Sequence, residues 1–451
     1  MRPLVLLLAL ALTGCSARSG STAHDDPEAL AVIQWASENA VRLETADPGA
    51  PLDDLRPLRD IVGDARVVFL GESRHDAGEQ FRLKHRLIRY LVEEMDFRLF
   101  AIEDSLPGAE PINEYVLGGN GDPEVLLSRI GAWYIWDTEE VLDLVRWMRT
   151  HNLDRNEAKK VSYHGIDIVD VLPARESLLA YLDRVDPDYS AALREGPIGR
   201  APLSPDLWPE TLDEYGELTD DEIESIGVAY TGLLMRLADK REAYLARSSP
   251  EELDRMLRQA WILDRANALF TTGARGGLMD AGMVREKAMA DNIRRLLEEV
   301  APGERLIVWC HNVHASKSPV DLEIPDRPRA LDVEQLARHV AVGLGYPTVS
   351  IGFTFNRGQG PDYSLPAADE AMVDGVLARV GRPLFLVDLR SAPVGGPVDA
   401  WLHRKQSMRA QGGAVGLVPA EAYDALIFSE TITRAVPSPR AVKRFESLGA
   451  H

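Results

Sequence analysis

Residues 67–81 read VVFLGESRHDAGEQF, and this short stretch contains both an apolar run and a group of ionisable residues. The four apolar residues Val67–Leu70 predict a strand that is covered on both faces, as in a parallel sheet. Gly71 and the polar residues after it predict a turn, and a helical pattern follows. The stretch therefore predicts a strand, a turn and a helix, with Glu72 and His75 on the turn.

Similar apolar runs occur along the rest of the chain and alternate with helical patterns. This alternation indicates an α/β fold with a mainly parallel central sheet flanked by helices. Between Tyr163 and Leu306 the strand pattern is weak and long amphipathic stretches dominate, so we expect a large helical insertion or subdomain at about residues 174–300. The seven predicted strands are Arg66–Leu70, Leu99–Ile102, Val161–Tyr163, Leu306–Trp309, Thr348–Phe355, Leu384–Val387 and Ala425–Phe428.

The composition is that of a globular protein with an acidic surface. The chain has 451 residues, 45% of them hydrophobic and 27% charged, which is enough to form a large core. Its formal net charge is -21, from 50 basic and 71 acidic residues, and no stripe of Lys and Arg opposes that charge. Such a field repels a phosphate backbone, so we expect no nucleic-acid partner.

The first twenty residues, MRPLVLLLALALTGCSARSG, have the organisation of a signal peptide. A basic residue, Arg2, precedes an apolar run that is too short to span a bilayer. Residues Leu12–Cys15 resemble the lipobox of bacterial lipoproteins, which predicts removal of residues 1–14 and lipidation of Cys15. We therefore expect a lipid anchor in a bacterial cell envelope, on the extracytoplasmic side, a flexible tether over residues 15–26 and a folded domain over 27–451. A plain secretory signal is the alternative.

Four of the predicted strands are each followed closely by an ionisable residue. The ligand crevice of an open α/β sheet lies outside the carboxyl ends of its strands, so these side chains should converge there. A single such residue is often only a helix N-cap. Two histidines lie about one turn beyond two of the strand ends, and a cluster of carboxylates and imidazoles is suited to general acid/base chemistry. The six residues are Glu72, His75, Glu103, Asp167, His311 and His314.

Common catalytic motifs are absent from the sequence, including G-x-S-x-G, Walker A and H-E-x-x-H. The i, i+3 spacing of His311 and His314 could also bind a metal together with Glu72, His75 and Glu103, so a zinc or manganese site stays open beside a metal-free one. Cys310, next to His311, is either a nucleophile or a small buried apolar residue.

Two further features suggest residues near a ligand. Lys84 falls on the apolar stripe of the helix predicted over residues 78–95, where it must reach a carboxylate or water, or else extend past the edge of the stripe. The aromatic segment WYIWDTEE, residues 133–140, contains Trp136 and either lines a pocket for a bulky ligand or belongs to the core.

Several segments together resemble the erythromycin esterase family, whose members include proteins of succinoglycan biosynthesis. The resemblance extends from about Leu55 to Ile427. The GE..H and HN.H motifs are distinctive as a pair, although each is weak alone. The segments are FLGESRHDAGEQFRLKHRLIRYLVEEMDFRLFAIED, WDTEE…RWMRTHN, YHGIDI, REKAMADNI and VWCHNVH.

The resemblance implies a metal-independent hydrolase that opens an ester or macrolide lactone without a cofactor. It makes His75 the general base, with Glu72 and Glu103 orienting it or the water and with His311 and His314 polarising the ester carbonyl. Lys84 and Arg285 match basic positions that face the pocket, and Trp136 and Asp167 are further candidates for substrate binding. Asp76 and Cys310 depart from the usual family residues. The predicted lipoprotein signal argues against a macrolide as the natural substrate.

A haem-binding lipoprotein is the alternative from another class of protein, because such proteins share a strand followed by a motif similar to GE.H. In that case His75 or His311 would bind iron and nothing would be hydrolysed.

Overall fold

The computed structural model describes residues 26–128, 135–203, 208–322, 331–360 and 363–447. The predicted signal peptide, Cys15 and residues 16–25 of the predicted tether lie outside these ranges, as do Trp133 and Tyr134 of the aromatic segment. Among the described residues, no helix combines the length and the apolar character needed to cross a bilayer.

Thirteen strands form two sheets in the described part of the chain. They are β1 (Val41–Arg42), β2 (Val67–Leu70), β3 (Leu99–Ser105), β4 (Ser162–Asp167), β5 (Leu306–Trp309), β6 (Val320–Leu322), β7 (Leu331–Val333), β8 (Thr348–Gly360), β9 (Tyr363–Leu365), β10 (Leu384–Asp388), β11 (Gln406–Ala410), β12 (Gly413–Leu417) and β13 (Ala425–Ile432).

The helices of the described ranges are α1 (Pro27–Asn39), α2 (Leu58–Val62), α3 (Gly78–Met95), α4 (Leu106–Val116), α5 (Pro123–Leu127), α6 (Glu139–Asn152), α7 (Leu172–Val185), α8 (Pro187–Glu195), α9 (Pro197–Arg200), α10 (Trp208–Glu217), α11 (Asp220–Asp239), α12 (Arg241–Leu245), α13 (Pro250–Gly276), α14 (Leu278–Arg295), α15 (Asn312–Ala315), α16 (Leu336–Arg338), α17 (Val373–Ala378), α18 (Pro397–Leu402), α19 (Pro419–Ala422) and α20 (Pro439–Ser447). Two π-helical segments, Leu296–Val300 and His339–Gly343, continue α14 and α16.

The large sheet has the order β1–β10–β13–β8–β2–β5–β3–β4, with β9 paired to β8. The strands from β13 to β4 are parallel, whereas β1, β9 and β10 pair antiparallel. All seven predicted strands are present, and the predicted α/β class with a mainly parallel central sheet is confirmed. The buried apolar runs β2 and β5 lie side by side near the centre, which places the residues that follow them close together.

Strands β3 and β4 are longer than predicted. Their pairing continues to Ser105 and Asp167 after a register shift beyond Ile102. Glu103 and Asp167 therefore lie inside these strands rather than after them. The apolar pattern of the sequence could not predict this extension, because the added residues of both strands include buried polar side chains such as Glu103 and Asp167.

The predicted helical block lies between β4 and β5, where the described chain is helical from α7 to the π-helical segment after α14. These helices have their own apolar core, with Leu182, Leu233 and Phe270 among its buried residues. The last of them, α14, packs against β4 and contributes Met289 to the core of the large sheet. This contact brings the middle of α14 to the carboxyl edge of the sheet.

The turn after β2 is enclosed by distant parts of the chain. The backbone N–H of Gly78, at the start of α3, donates to the carbonyl of Thr433 (2.9 Å), and the N–H of Ala435 donates to Asp76 (2.8 Å). Ala77 also pairs with Arg434 as an isolated antiparallel bridge. The small antiparallel sheet, β11–β12–β6–β7, approaches the same turn through its β11–β12 hairpin, whose Gln411 donates to the Ser73 carbonyl.

Candidate active site

The buried carboxylate of Glu72 lies directly after β2 and accepts three hydrogen bonds. One oxygen, Oε1, bonds to Nδ1 of His75 (2.7 Å). The other, Oε2, accepts from Nζ of Lys84 (2.6 Å) and from the indole Nε1 of Trp309 (2.8 Å). Charge-assisted bonds of this kind fix the carboxylate firmly and compensate for its burial.

Lys84 lies behind Glu72, on the inner face of α3. Its side chain is fully buried, and Nζ also donates to the carbonyl of Cys310 (3.2 Å) and lies 4.5 Å from the ring centre of Trp309. Burial lowers the pKa of Lys84, while the charge of Glu72 opposes that shift. Glu72 is therefore the carboxylate that Lys84, on the apolar stripe of α3, was expected to reach.

His75 is the histidine of this cluster that has a free ring nitrogen. Its side chain is 18% exposed, and Nδ1 is bonded to Glu72. No hydrogen bond to Nε2 is formed by any residue in the described ranges. In the neutral ring, Nδ1 donates its proton to the carboxylate and Nε2 carries an available lone pair. The ring packs edge-on against Trp136 (5.4 Å between centres) and beside His311 (4.9 Å).

His311 is the N-cap of α15, and both of its ring nitrogens are engaged. Nδ1 accepts from the backbone N–H of Val313 (3.2 Å), so Nε2 bears the proton and donates to the carbonyl of Ser73 (3.2 Å). Burial holds the pKa of His311 well below its usual value. The ring is therefore neutral at physiological pH.

His314, one turn further along, has the opposite protonation. Nδ1 bonds to Glu286 (2.5 Å) and Nε2 pairs with Glu103 (3.0 Å). Burial alone would lower its pKa, but these two carboxylates outweigh it and raise the pKa of His314 to about 10. Both nitrogens thus carry protons, and the imidazolium bridges the two carboxylates.

Arg285 on α14 connects this second group to β4. Its Nε donates to Asp167 (3.0 Å) and its Nη2 to Glu103 (2.9 Å), and a further short bond joins Nη2 to Asp167. Although burial opposes it, the charges of Asp167 and Glu103 raise the pKa of Arg285. Burial is likewise outweighed at Glu103, where His314 and Arg285 hold the pKa well below its usual range.

The two groups share one site, because the second oxygen of Glu103 accepts from the backbone N–H of His311 (2.8 Å). The six residues expected at the sheet edge are thus brought together: Glu72, His75, Glu103, Asp167, His311 and His314. The helix-cap alternative for Asp167 is secondary, because this carboxylate accepts from the N–H of Ile168 but forms its ion pair with Arg285.

The substrate-binding roles of Lys84, Asp167 and Trp136 stay predictions, and all three side chains are deeply buried. Each is at most 2% exposed. Trp136, for example, donates through Nε1 to the carbonyl of Glu103 (3.0 Å). Arg285 retains 17% exposure of its side chain and is the basic residue that reaches the open face.

Glu286, which holds His314, was not predicted from the sequence. Its signal was its place beside Arg285 in the segment REKAMADNI. Its second oxygen accepts from the backbone N–H of Leu336 (2.6 Å), which ties α14 to α16. Cys310 is fully buried, and burial holds the pKa of its thiol well above the usual value, which favours the apolar interpretation over the nucleophile.

A metal or haem iron could be bound here only by side-chain atoms that have no protein partner. Within the described ranges, no group of three or more His, Cys, Asp or Glu side chains is arranged to hold a metal ion. Both nitrogens of His314 and of His311 have protein partners, which leaves Nε2 of His75 as the free imidazole nitrogen of the described site.

Comparison with known proteins identifies similar chains. The family described as Erythromycin esterase matches residues 92–432. The Escherichia coli protein named Erythromycin esterase type II is 26% identical over 387 residues, which cover 80% of this chain and 89% of that protein. The matched range includes Glu103, Asp167, Arg285, His311 and His314 and begins after His75.

Two solved structures are similar over nearly their whole length. A Bacillus cereus protein is 25% identical, with a TM-score of 0.75, over 91% of this chain and 99% of that chain. A mutant of the erythromycin esterase EreC in its open conformation is 19% identical, with a TM-score of 0.68, over 87% of this chain and 97% of that chain. The latter likeness is one of fold.

Proposed function

The chain belongs to the erythromycin esterase family, and we propose that it is a hydrolase that opens carboxylic ester or lactone bonds with water activated by His75. The observation that carries the proposal is the free Nε2 of His75, a partly exposed nitrogen whose ring is oriented by a buried carboxylate. This arrangement provides a general base without a nucleophilic serine or cysteine.

In the proposed reaction, Nε2 of His75 accepts a proton from a water molecule as the water oxygen attacks the ester carbonyl. The resulting imidazolium is stabilised by Glu72, which Lys84 and Trp309 hold in place. When the tetrahedral intermediate collapses, the same proton passes to the leaving alkoxide, so that the base is regenerated. Proton transfer of this kind contributes typically about 10²- to 10⁴-fold to the rate.

Arg285 is the proposed donor to the developing oxyanion. Its Nε and Nη2 are held by Asp167 and Glu103, while Nη1 makes only a long contact (3.4 Å) with a nitrogen of His314 that is itself protonated. Nη1 is therefore poorly satisfied within the protein and suited to a negatively charged oxygen. Loss of one such donor costs on the order of 3 kcal/mol in the barrier. This role replaces the carbonyl polarisation expected from His311 and His314, whose ring protons have protein acceptors.

The substrate class to test first is the macrolide lactone, because the Escherichia coli relative is named Erythromycin esterase type II. The proposed lipid anchor at Cys15 would place the reaction outside the cytoplasm, where esters of other kinds are available. A panel of macrolides, simple lactones and activated aryl esters therefore covers both possibilities.

The test compares wild type, His75→Ala and His403→Ala on this panel, with and without a strong chelator. We expect His75→Ala to lose at least 10²-fold in kcat/KM with an unchanged circular dichroism spectrum, because the loop histidine contributes little to the core. His403 is an exposed residue far along the chain, and its replacement should leave activity unchanged.

Three other outcomes would give the histidines and carboxylates of the site a different role. Undiminished hydrolysis by His75→Ala would remove the general base from His75. Activity that chelation abolishes and zinc or manganese restores would make these histidines and carboxylates metal ligands. A Soret band shift on adding haem, without hydrolysis of any ester, would support the iron-binding alternative.

A further inference from the structure

Gln411 has an unusual backbone conformation in the hairpin between β11 and β12. Its φ is +53°, one of two positive values among the non-glycine residues of the described chain. Turn positions with positive φ are normally occupied by Gly, Asn or Asp. Two glycines, Gly412 and Gly413, follow directly, yet the strained position is filled by glutamine. Strain of this kind persists where the surrounding contacts require it, and it is concentrated at functional sites.

In the described chain, Gln411 forms hydrogen bonds with the loop that carries His75. Its backbone N–H donates to the carbonyl of Ser73 (2.7 Å), and its side-chain Oε1 accepts from the backbone N–H of His75 (2.9 Å). Its own carbonyl accepts from Nη1 of Arg74. One residue of a separate sheet therefore bonds to three consecutive residues of the loop.

The hydrogen bonds from Gln411 to Ser73 and to His75 differ in whether other residues hold the same part of the loop. Ser73 is also held by the side chain of Gln80, whose Oε1 accepts from the Ser73 backbone N–H (2.9 Å), and its carbonyl also accepts from His311 (3.2 Å). The side-chain bond from Gln411 instead acts directly on the backbone of His75. Its loss would leave the imidazole attached to Glu72 alone while the backbone beneath it moved.

We propose that Gln411 is a positioning residue, which fixes the backbone of His75 so that Nε2 points at the attacking water. This inference rests on the proposed function of His75. The side-chain amide accounts for the glutamine, since glycine would fit the turn with less strain but could not accept the His75 N–H. Displacement of a catalytic group by about 1 Å can cost roughly 10²-fold in rate.

The variant Gln411→Gly separates positioning from folding. It relieves the positive φ and keeps both backbone bonds, and it removes only the acceptor for His75. We expect an unfolding midpoint equal to or above that of wild type, together with a fall in kcat of roughly 10- to 100-fold and little change in KM. Gln411→Glu keeps a side-chain oxygen at this position and should stay within about threefold of wild type.

Asp96→Gly is the matched control, because Asp96 is the other described non-glycine residue with positive φ (62°) and follows the C-terminal end of α3, whereas the His75 loop precedes its N-terminal end. It should leave kcat unchanged. A readout independent of turnover is amide exchange at the His75 N–H, measured on the peptide spanning residues 72–78, which should accelerate at least about tenfold in Gln411→Gly and stay unchanged in Asp96→Gly.

The outcomes distinguish this inference from the proposed function. Wild-type kcat or unchanged exchange in Gln411→Gly, with His75→Ala inactive, overturns the positioning role and leaves the general base intact. A lowered unfolding midpoint that accounts for the lost activity shows a structural role only and overturns the inference as well. Full activity of His75→Ala overturns both.

Discussion

His314 makes the stability of the protein depend on pH in a predictable direction. Its folded pKa is raised from 6.5 to about 10, against the effect of burial, by Glu103 and Glu286. Because the folded pKa is above the unfolded one, the bound proton stabilises the fold fully below about pH 6.5. That contribution is lost as the pH rises through about 10.

The size of the effect follows from the same shift. It amounts to on the order of 5 kcal/mol of unfolding free energy, with a slope of about 1.4 kcal/mol per pH unit between the two pKa values. The variant His314→Gln keeps hydrogen-bonding capacity but carries no charge, so this slope should disappear. At pH 7 the variant should also be less stable than wild type by about 3–5 kcal/mol, since two buried carboxylates lose their shared cation.

The assay is chemical denaturation at constant ionic strength from pH 7 to pH 10, with the difference between wild type and variant plotted against pH. Taking the difference cancels the titration of lysines, tyrosines and the thiol. His164→Gln is the control, because burial lowers the pKa of His164 to about 4 and its ring is neutral over this range in both states. Parallel curves for wild type and His314→Gln would refute a charged imidazole between the two carboxylates.

Two further predictions concern the base of the site and the N-terminus. Lys84→Met should lower the unfolding free energy by about 3–5 kcal/mol, because Glu72 stays buried without its cation. Chemical denaturation measures this loss, with Lys240→Met at an exposed lysine as the control. A loss below about 1 kcal/mol would contradict the buried ion pair. Cys15→Ser should release the protein from the membrane fraction, and intact mass spectrometry of mature wild type that shows an unmodified Cys15 would exclude the anchor.

Much of the fold could be predicted because its strands are simple in sequence. Runs such as Val67–Leu70 and Leu306–Trp309 are apolar throughout, as central parallel strands must be, and they appear as β2 and β5. The small sheet was not predicted, since strands of three to five residues with mixed polarity, such as β6 and β11, carry no clear period. These short strands are defined only by their pairing with each other in the folded protein.

The site could be predicted only in part, for a similar reason. Glu72, His75 and His311 were found because a strand end in a parallel sheet has a known destination. Gln411 could not be found, because AQGG predicts a turn and nothing in it indicates that the turn meets the His75 loop. The protonation of His314 could not be predicted either, because it depends on the two carboxylates that the fold places beside the ring.

The enclosure of the turn after β2 by Thr433, Arg434 and Ala435 has a consequence for how the protein is made. The residues around His75 are synthesised well before their partners, because the bonds that close this loop come from the hairpin at Gln411 and from the chain beyond β13. Strand β13 itself lies inside the large sheet, between β10 and β8. A nascent chain therefore cannot close this loop until Gln411 and residues 433–435 have left the ribosome, and fragments that end before Gln411 should be catalytically silent.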